Sequence, residues 1–178
     1  MENESPEPPD SKGKSGKVWR RIGCALGILM LVMAFAVINT VVRTVFAKAK
    51  KTNAVGEVYN LMTALMQFKN DYGHFPRPEG IEREDYELQT NGWLMDTLEG
   101  GNPRGTVYFE SNEKFVIGEG DERMYTDPWG RPYRIVIDGN GDGKVRRPDD
   151  PNLWIEAPVA VFSLGEDGVL DKRSPSSW

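Results

Sequence analysis

Two hydrophobic patterns follow one another along the chain, and they change over near residue 46. Over residues 22–42 no charged side chain interrupts an apolar run of 21 residues, bracketed by Arg20, Arg21 and Arg43. At about 1.5 Å per residue such a helix covers roughly 31 Å, enough to cross a hydrocarbon core of about 30 Å. Beyond it, Val55, Val58, Tyr59, Met62, Leu65, Met66 and Tyr72 recur at three- and four-residue steps. Asn60, Thr63, Gln67 and Asn70 lie off that stripe. This period predicts an amphipathic helix continuous with the first, with Met62, Met66 and Phe68 as core contacts. Gly73 and Pro76 predict its end.

Later patterns are shorter. Residues 77–92, rich in Glu and Asp, predict a charged loop, and residues 92–98 a short helix ended by Gly100 and Gly101. The β-rich runs 106–110, 115–118, 133–138 and 159–164 predict strands. Asp127-Pro128-Trp129-Gly130 has turn chemistry, with Trp129 expected in the core beside it. The expected fold class is α+β: one long N-terminal helix, half transmembrane and half amphipathic, packed on a small antiparallel sheet. The expected division is a disordered tail over residues 1–21, a transmembrane helix over 22–46, and an extracytoplasmic domain over 47–178. No internal repeat is visible.

Charge sharpens this division. The formal net charge is −5, but 13 basic residues face 23 acidic ones beyond position 51. An acidic domain lacks the positive face that nucleic acid requires. Before the apolar run stand Lys12, Lys14, Lys17, Arg20 and Arg21; after it stand Arg43, Lys48, Lys50 and Lys51. The positive-inside rule then puts the N-terminus in the cytoplasm. A cleaved secretory signal would have a shorter apolar core and a small-residue cleavage site. Cys24 is the only cysteine and forms no internal disulfide, so it reads as a small hydrophobe in the membrane helix. A lipidated cysteine would need apolar residues where Arg20 and Arg21 stand. The single histidine, His74, makes neither a triad nor a multi-histidine metal site. No nucleophile elbow or phosphate-binding glycine loop occurs either. No enzyme and no small-molecule substrate are expected.

One loop has metal-binding spacing. Asp138-Gly139-Asn140-Gly141-Asp142-Gly143-Lys144 fits the opening of an EF-hand loop. With Asp138 as position 1, Asn140 and Asp142 fall at 3 and 5, Gly143 at 6 and Asp149 at 12. Short carboxylates two apart on a tight turn converge on one point, and Lys144 would offer its backbone carbonyl. Pro148 and Pro151 oppose a following helix. The expectation is a Ca2+ loop near 138–149; the alternative is a polar hairpin turn whose Asp and Asn side chains bond locally.

Three segments together resemble the type IV pilin-like proteins, most closely the major pseudopilin of type II secretion. The first is residues 64–76, ALMQFKNDYGHFP, similar to the family's helix end. The second is Asp127-Pro128-Trp129-Gly130-Arg131-Pro132-Tyr133, and the third is Phe162-Ser163-Leu164-Gly165-Glu166-Asp167-Gly168. Residues 77–126 and 139–158 look like insertions. The resemblance implies a long half-exposed helix wrapped by a small antiparallel sheet. It implies a structural subunit without catalytic residues, whose partners are the membrane and other pilin-like subunits or secretion-machine proteins. It also implies a second calcium loop, with the Leu164 carbonyl, the Asp167 side chain and a later acid, here Asp171.

The front of the chain departs from the family. Prepilins carry a processing glycine and a glutamate at the fifth mature position. Here the fifth residue after Gly23 is Ile28, and after Gly27 it is Val32. The leading expectation is a calcium-stabilised pseudopilin-like subunit in the inner membrane, its domain periplasmic and its role in protein transport. The alternative is an anchored extracytoplasmic calcium-binding interaction module that never polymerises.

Overall fold

The computed structural model describes residues 15–81 and 84–178; side chains are described from Gly27 onward, Ile28 and Asp121 excepted. The tail expected over residues 1–21 falls, up to residue 14, outside this range, and so does the Cys24 side chain. Helix α1 runs Ser15–Tyr72. By its internal packing the chain divides into residues 1–46 and 47–178.

In the first unit α1 is apolar around its circumference. Met30, Leu31, Phe35, Val37, Ile38 and Phe46 are all exposed, and no residue of the most apolar 18-residue window is buried. Its polar side chains turn back onto the helix. Asn39 Nδ2 donates to the Phe35 carbonyl at 2.9 Å, and Thr40 Oγ1 to that of Ala36 at 2.9 Å. Each therefore brings its own partner into an apolar surrounding, where an unmet polar group costs several kcal/mol. This helix is long and apolar enough to cross a membrane.

In the second unit the same helix buries Ala54, Val58, Leu61, Ala64, Leu65 and Phe68. That face is rotated from the expected stripe: Tyr59 is exposed, while Val55, Met62 and Met66 are half-buried. Ala54 and Ala64 belong to the buried face, and a hydrophobicity pattern gives alanine too little weight to show this. Gly73, at φ +77°, closes the helix through its N–H to the Lys69 carbonyl at 2.8 Å. Only a residue without Cβ takes that conformation cheaply.

The main sheet has three antiparallel strands, β1 (Tyr86–Gln89), β4 (Arg134–Ile137) and β7 (Val159–Phe162), in the order β1-β4-β7. Between β1 and β4 come helix α2 (Gly92–Leu98) and a two-stranded ribbon, β2 (Val116–Ile117) with β3 (Met124–Tyr125). Strands β5 (Val145–Arg146) and β6 (Trp154–Ile155) pair as a second ribbon between β4 and β7. The α+β expectation holds: one long helix with small antiparallel sheets.

Strand periodicity sorts the two faces of the main sheet. Tyr86, Leu88, Ile135, Ile137, Val159 and Val161 join α1 and α2 in the main core. Ala160 and Val136 face the other way, onto Val145 of β5 and Ile155 of β6. The free edge of β7 is covered by the C-terminal segment: Ser177 N–H donates to the Val161 carbonyl at 3.0 Å, and Ser163 N–H to that of Pro175 at 2.9 Å. Trp178 packs edge-on against Phe162, with ring centroids 5.7 Å apart.

Three local expectations need correction. Residues 77–92 were expected as loop, yet β1 lies among them; its acidic residue Glu87 points outward while Tyr86 and Leu88 point in. Residues 106–110 are not a strand. Asn102 Nδ2 donates to the carbonyls of Thr97 (2.9 Å) and Thr106 (2.6 Å), and its Oδ1 accepts from the Tyr72 hydroxyl (2.9 Å). Those bonds tie the segment to α1 and to the end of α2 instead of to a neighbouring strand. Trp129 is half-buried and outside the core cluster, whose aromatic residue here is the fully buried Tyr133.

Candidate functional site

The loop after β4 forms as its spacing directs. Asp138 is nearly buried, and its carboxylate accepts from Gly141 N–H at 2.5 Å and Gly143 N–H at 2.8 Å. Gly141 and Gly143 stand at φ +82° and +85°, the left-handed region the tight turn requires. Asn140 Oδ1 accepts from Asp142 N–H at 2.8 Å, and Asp142 Oδ1 from Lys144 N–H at 3.1 Å. These are the local side-chain turns of the alternative reading, built from the same residues.

A further carboxylate joins them. Asn140 Nδ2 donates to Asp85 Oδ1 at 3.1 Å. Burial above all, and then the Asp138 and Asp142 charges, push the Asp85 carboxyl above its ordinary value. Asp85 was missed because it lay in a segment read as loop. The Tyr86–Leu88 alternation could have revealed it: in the register Tyr86 faces Ile137, which brings Asp85 beside Asp138.

Asp149 is engaged elsewhere. Arg147 Nε donates to Asp149 Oδ1 at 2.9 Å and Arg147 Nη2 to Oδ2 at 2.5 Å, a bidentate pair. That guanidinium holds the Asp149 carboxyl below its ordinary value. Among the described residues no three His, Cys, Asp or Glu side chains form a group that could hold a metal ion.

The second loop carries its own cation. Arg173 Nη2 lies 2.8 Å from Asp171 Oδ2 and 3.7 Å from Asp167 Oδ2. The Arg173 N–H and guanidinium lower the Asp171 carboxyl from its ordinary value. Leu164 is half-buried, and the following Gly165 carbonyl accepts from Arg131 Nη1 at 2.6 Å. The structure thus brings Asp138, Asn140, Asp142 and Lys144 together in one loop, and Leu164, Asp167 and Asp171 in another.

Asp127, read from sequence only as a turn residue, is the hub between the two later motifs. It is 1% exposed. Its Oδ1 accepts from Trp129 N–H and Arg131 N–H, both at 2.9 Å, and its Oδ2 from the buried Ser163 hydroxyl at 2.6 Å. The Ser163 hydroxyl accepts in turn from Gly165 N–H at 2.8 Å. The network ties the turn before β4 to the segment after β7.

No family model, curated protein or solved structure matches the chain.

Proposed function

We propose that the chain is a pseudopilin-like structural subunit of a type II secretion or type IV pilus-like system, membrane-anchored and calcium-stabilised. The observation that carries this reading is the division of labour along α1. Its first half presents an apolar surface that is exposed among the described residues, and its second half is the spine of a small domain. A helix so built can pack its apolar half against lipid or against like helices, which is what a subunit of a membrane-rooted filament needs. The Asp127–Ser163 junction adds support, because it joins the two later segments on which the resemblance rests. Neither calls for a reactive group, and the reading is of a non-enzymatic protein.

Calcium belongs to this reading through the Asp138 loop, with Asp85 as an additional oxygen donor. Three carboxylates and Asn140 offer the hard oxygens that Ca2+ prefers. Their oxygens do not converge on one point in the metal-free loop, so cation binding would draw Asp85 and Asp142 inward.

The second reading is an anchored interaction module that does not polymerise. It is favoured by Ile28 and Val32 standing where the family's glutamate would be. Intact mass of the native protein, with cross-linking in its membrane, separates the two. A subunit is expected to lose the residues up to Gly23 or Gly27 and to give a ladder of cross-linked multimers. An unprocessed chain that stays a single cross-linked species would rule out the filament reading and leave the module.

A further inference from the structure

We infer that the loop of residues 163–175 closes without metal, its carbonyl and carboxylate oxygens held by the guanidinium groups of Arg131 and Arg173. The resemblance assigns the Leu164 carbonyl, Asp167 and Asp171 to a calcium ion, and the groups around them do not fit one. The inference concerns this second loop alone and is independent of calcium at the Asp138 loop.

Asp171 has both oxygens engaged within the loop. Its Oδ1 accepts from Arg173 N–H at 2.8 Å and its Oδ2 from Arg173 Nε at 2.9 Å. Arg173 Nη2 also reaches toward Asp167 Oδ2, at 3.7 Å. These pairs are exposed, and pairs of that kind contribute little by themselves.

Arg131 is the stronger element, because it comes from outside the loop and is half-buried. Its Nη1 donates to the Gly165 carbonyl at 2.6 Å, a charge-assisted bond. The same guanidinium lies against Gly168, where a Cβ would stand 3.1 Å from Nε and from Nη2. Gly168 also has φ +72°, so glycine serves both the turn and the close approach. The backbone of Arg131 is fixed in turn. Its N–H donates to Asp127 Oδ1, while Asp127 Oδ2 takes the hydroxyl of Ser163, the first residue of the loop. Gly165 is thus held on both sides, at its N–H by Ser163 and at its carbonyl by Arg131.

The charge count agrees. Residues 163–175 hold Glu166, Asp167 and Asp171 against Lys172 and Arg173, and Arg131 makes the count three against three. Calcium affinity is set largely by the charge of the ligand set, and this set is already neutralised. A divalent ion would also meet two guanidinium groups as like charges.

The test is hydrogen exchange of the full chain in detergent micelles, read by mass spectrometry with calcium and with chelator. Peptides over residues 163–175 are expected to exchange alike in the two conditions. Arg131→Gln is expected to speed their exchange roughly tenfold, the loss of one charge-assisted hydrogen bond. Arg134→Gln, which removes a cation of the neighbouring strand, is expected to leave them unchanged. Peptides over 138–149 read the Asp138 loop separately, so the failure of either reading is seen by itself. Slower exchange of residues 163–175 in calcium, lost in Asp167→Asn/Asp171→Asn, would overturn the inference. So would an Arg131→Gln loop that exchanges like the wild type. The comparison of calcium with chelator needs only the wild-type chain, so it decides even where a variant fails to fold.

Discussion

The Ser163 hydroxyl donates to Asp127 Oδ2 at 2.6 Å, and both residues are buried from solvent. The bond links the turn before β4 to the end of β7, two segments 36 residues apart. Asp127 also accepts two backbone N–H groups, so its charge is balanced by donors without a buried cation. Removing the carboxylate leaves all three donors unmet. Asp127→Ala is expected to cost at least about 3 kcal/mol, and Ser163→Ala about 1–3 kcal/mol. Urea unfolding of the two single variants and the double variant measures the coupling, expected at about 0.5–3 kcal/mol. Additive effects would show the two residues to act independently.

Tyr133 and Trp129 should differ sharply. Tyr133 is fully buried in the core and Trp129 is half-buried outside it. Tyr133→Ala is expected to cost about 3–5 kcal/mol, the range for deleting a large buried ring. Trp129→Ala should cost less than half as much. A larger loss at Trp129 would return that residue to the core.

The Tyr125 and Tyr133 hydroxyls are buried without a hydrogen-bond partner. Tyr125→Phe and Tyr133→Phe are therefore expected to leave stability unchanged or raise it, since each removes an unmet polar group. Burial, with the Glu57 charge adding to it at Tyr125, pushes both phenols above their ordinary value of 10.0. The native state therefore keeps the proton that the unfolded chain gives up. Stability from these groups is fully present below pH 10 and falls as pH rises beyond it. A pH series of unfolding midpoints should show that fall weakened in the double Phe variant.

Residues 47–178 are expected to fold alone, because the buried face of α1 in that stretch packs on the sheet of the same unit. Circular dichroism and sedimentation of this fragment check it. An unfolded or aggregated fragment would show that the domain needs the apolar helix.

Calcium is expected to raise the melting temperature of metal-stripped protein, and chelator to reverse the rise. At a free concentration 100 times Kd the gain is about 2.7 kcal/mol. Asp142→Ala should remove most of the response. Asp85→Asn should stabilise the metal-free protein, because it relieves repulsion from Asp138 and Asp142, and should weaken the response to calcium. The raised Asp85 pKa gives the same sign: protonation stabilises the fold below its ordinary 3.8, and that stability is lost as pH rises through the raised value. Superimposable melting curves with and without chelator would end the calcium reading.

The apolar run, the amphipathic continuation, the Gly73 stop and the α+β class were all determined by sequence alone, because each follows from local periodicity or backbone freedom. So was the Asp138 turn, whose bonds close within a few residues. Only the tertiary structure decided which helix face is buried, since that depends on which side chains of the sheet and of α2 join α1 in the core. It alone placed Asp85 beside Asp138, through a strand register set between residues about fifty apart in sequence. Asp149 pairs with Arg147, two residues before it, a local competition that the twelve-residue loop spacing conceals. And the tertiary structure made Asp127 a buried hub rather than a turn residue, because the Ser163 hydroxyl that completes it arrives from a distant strand.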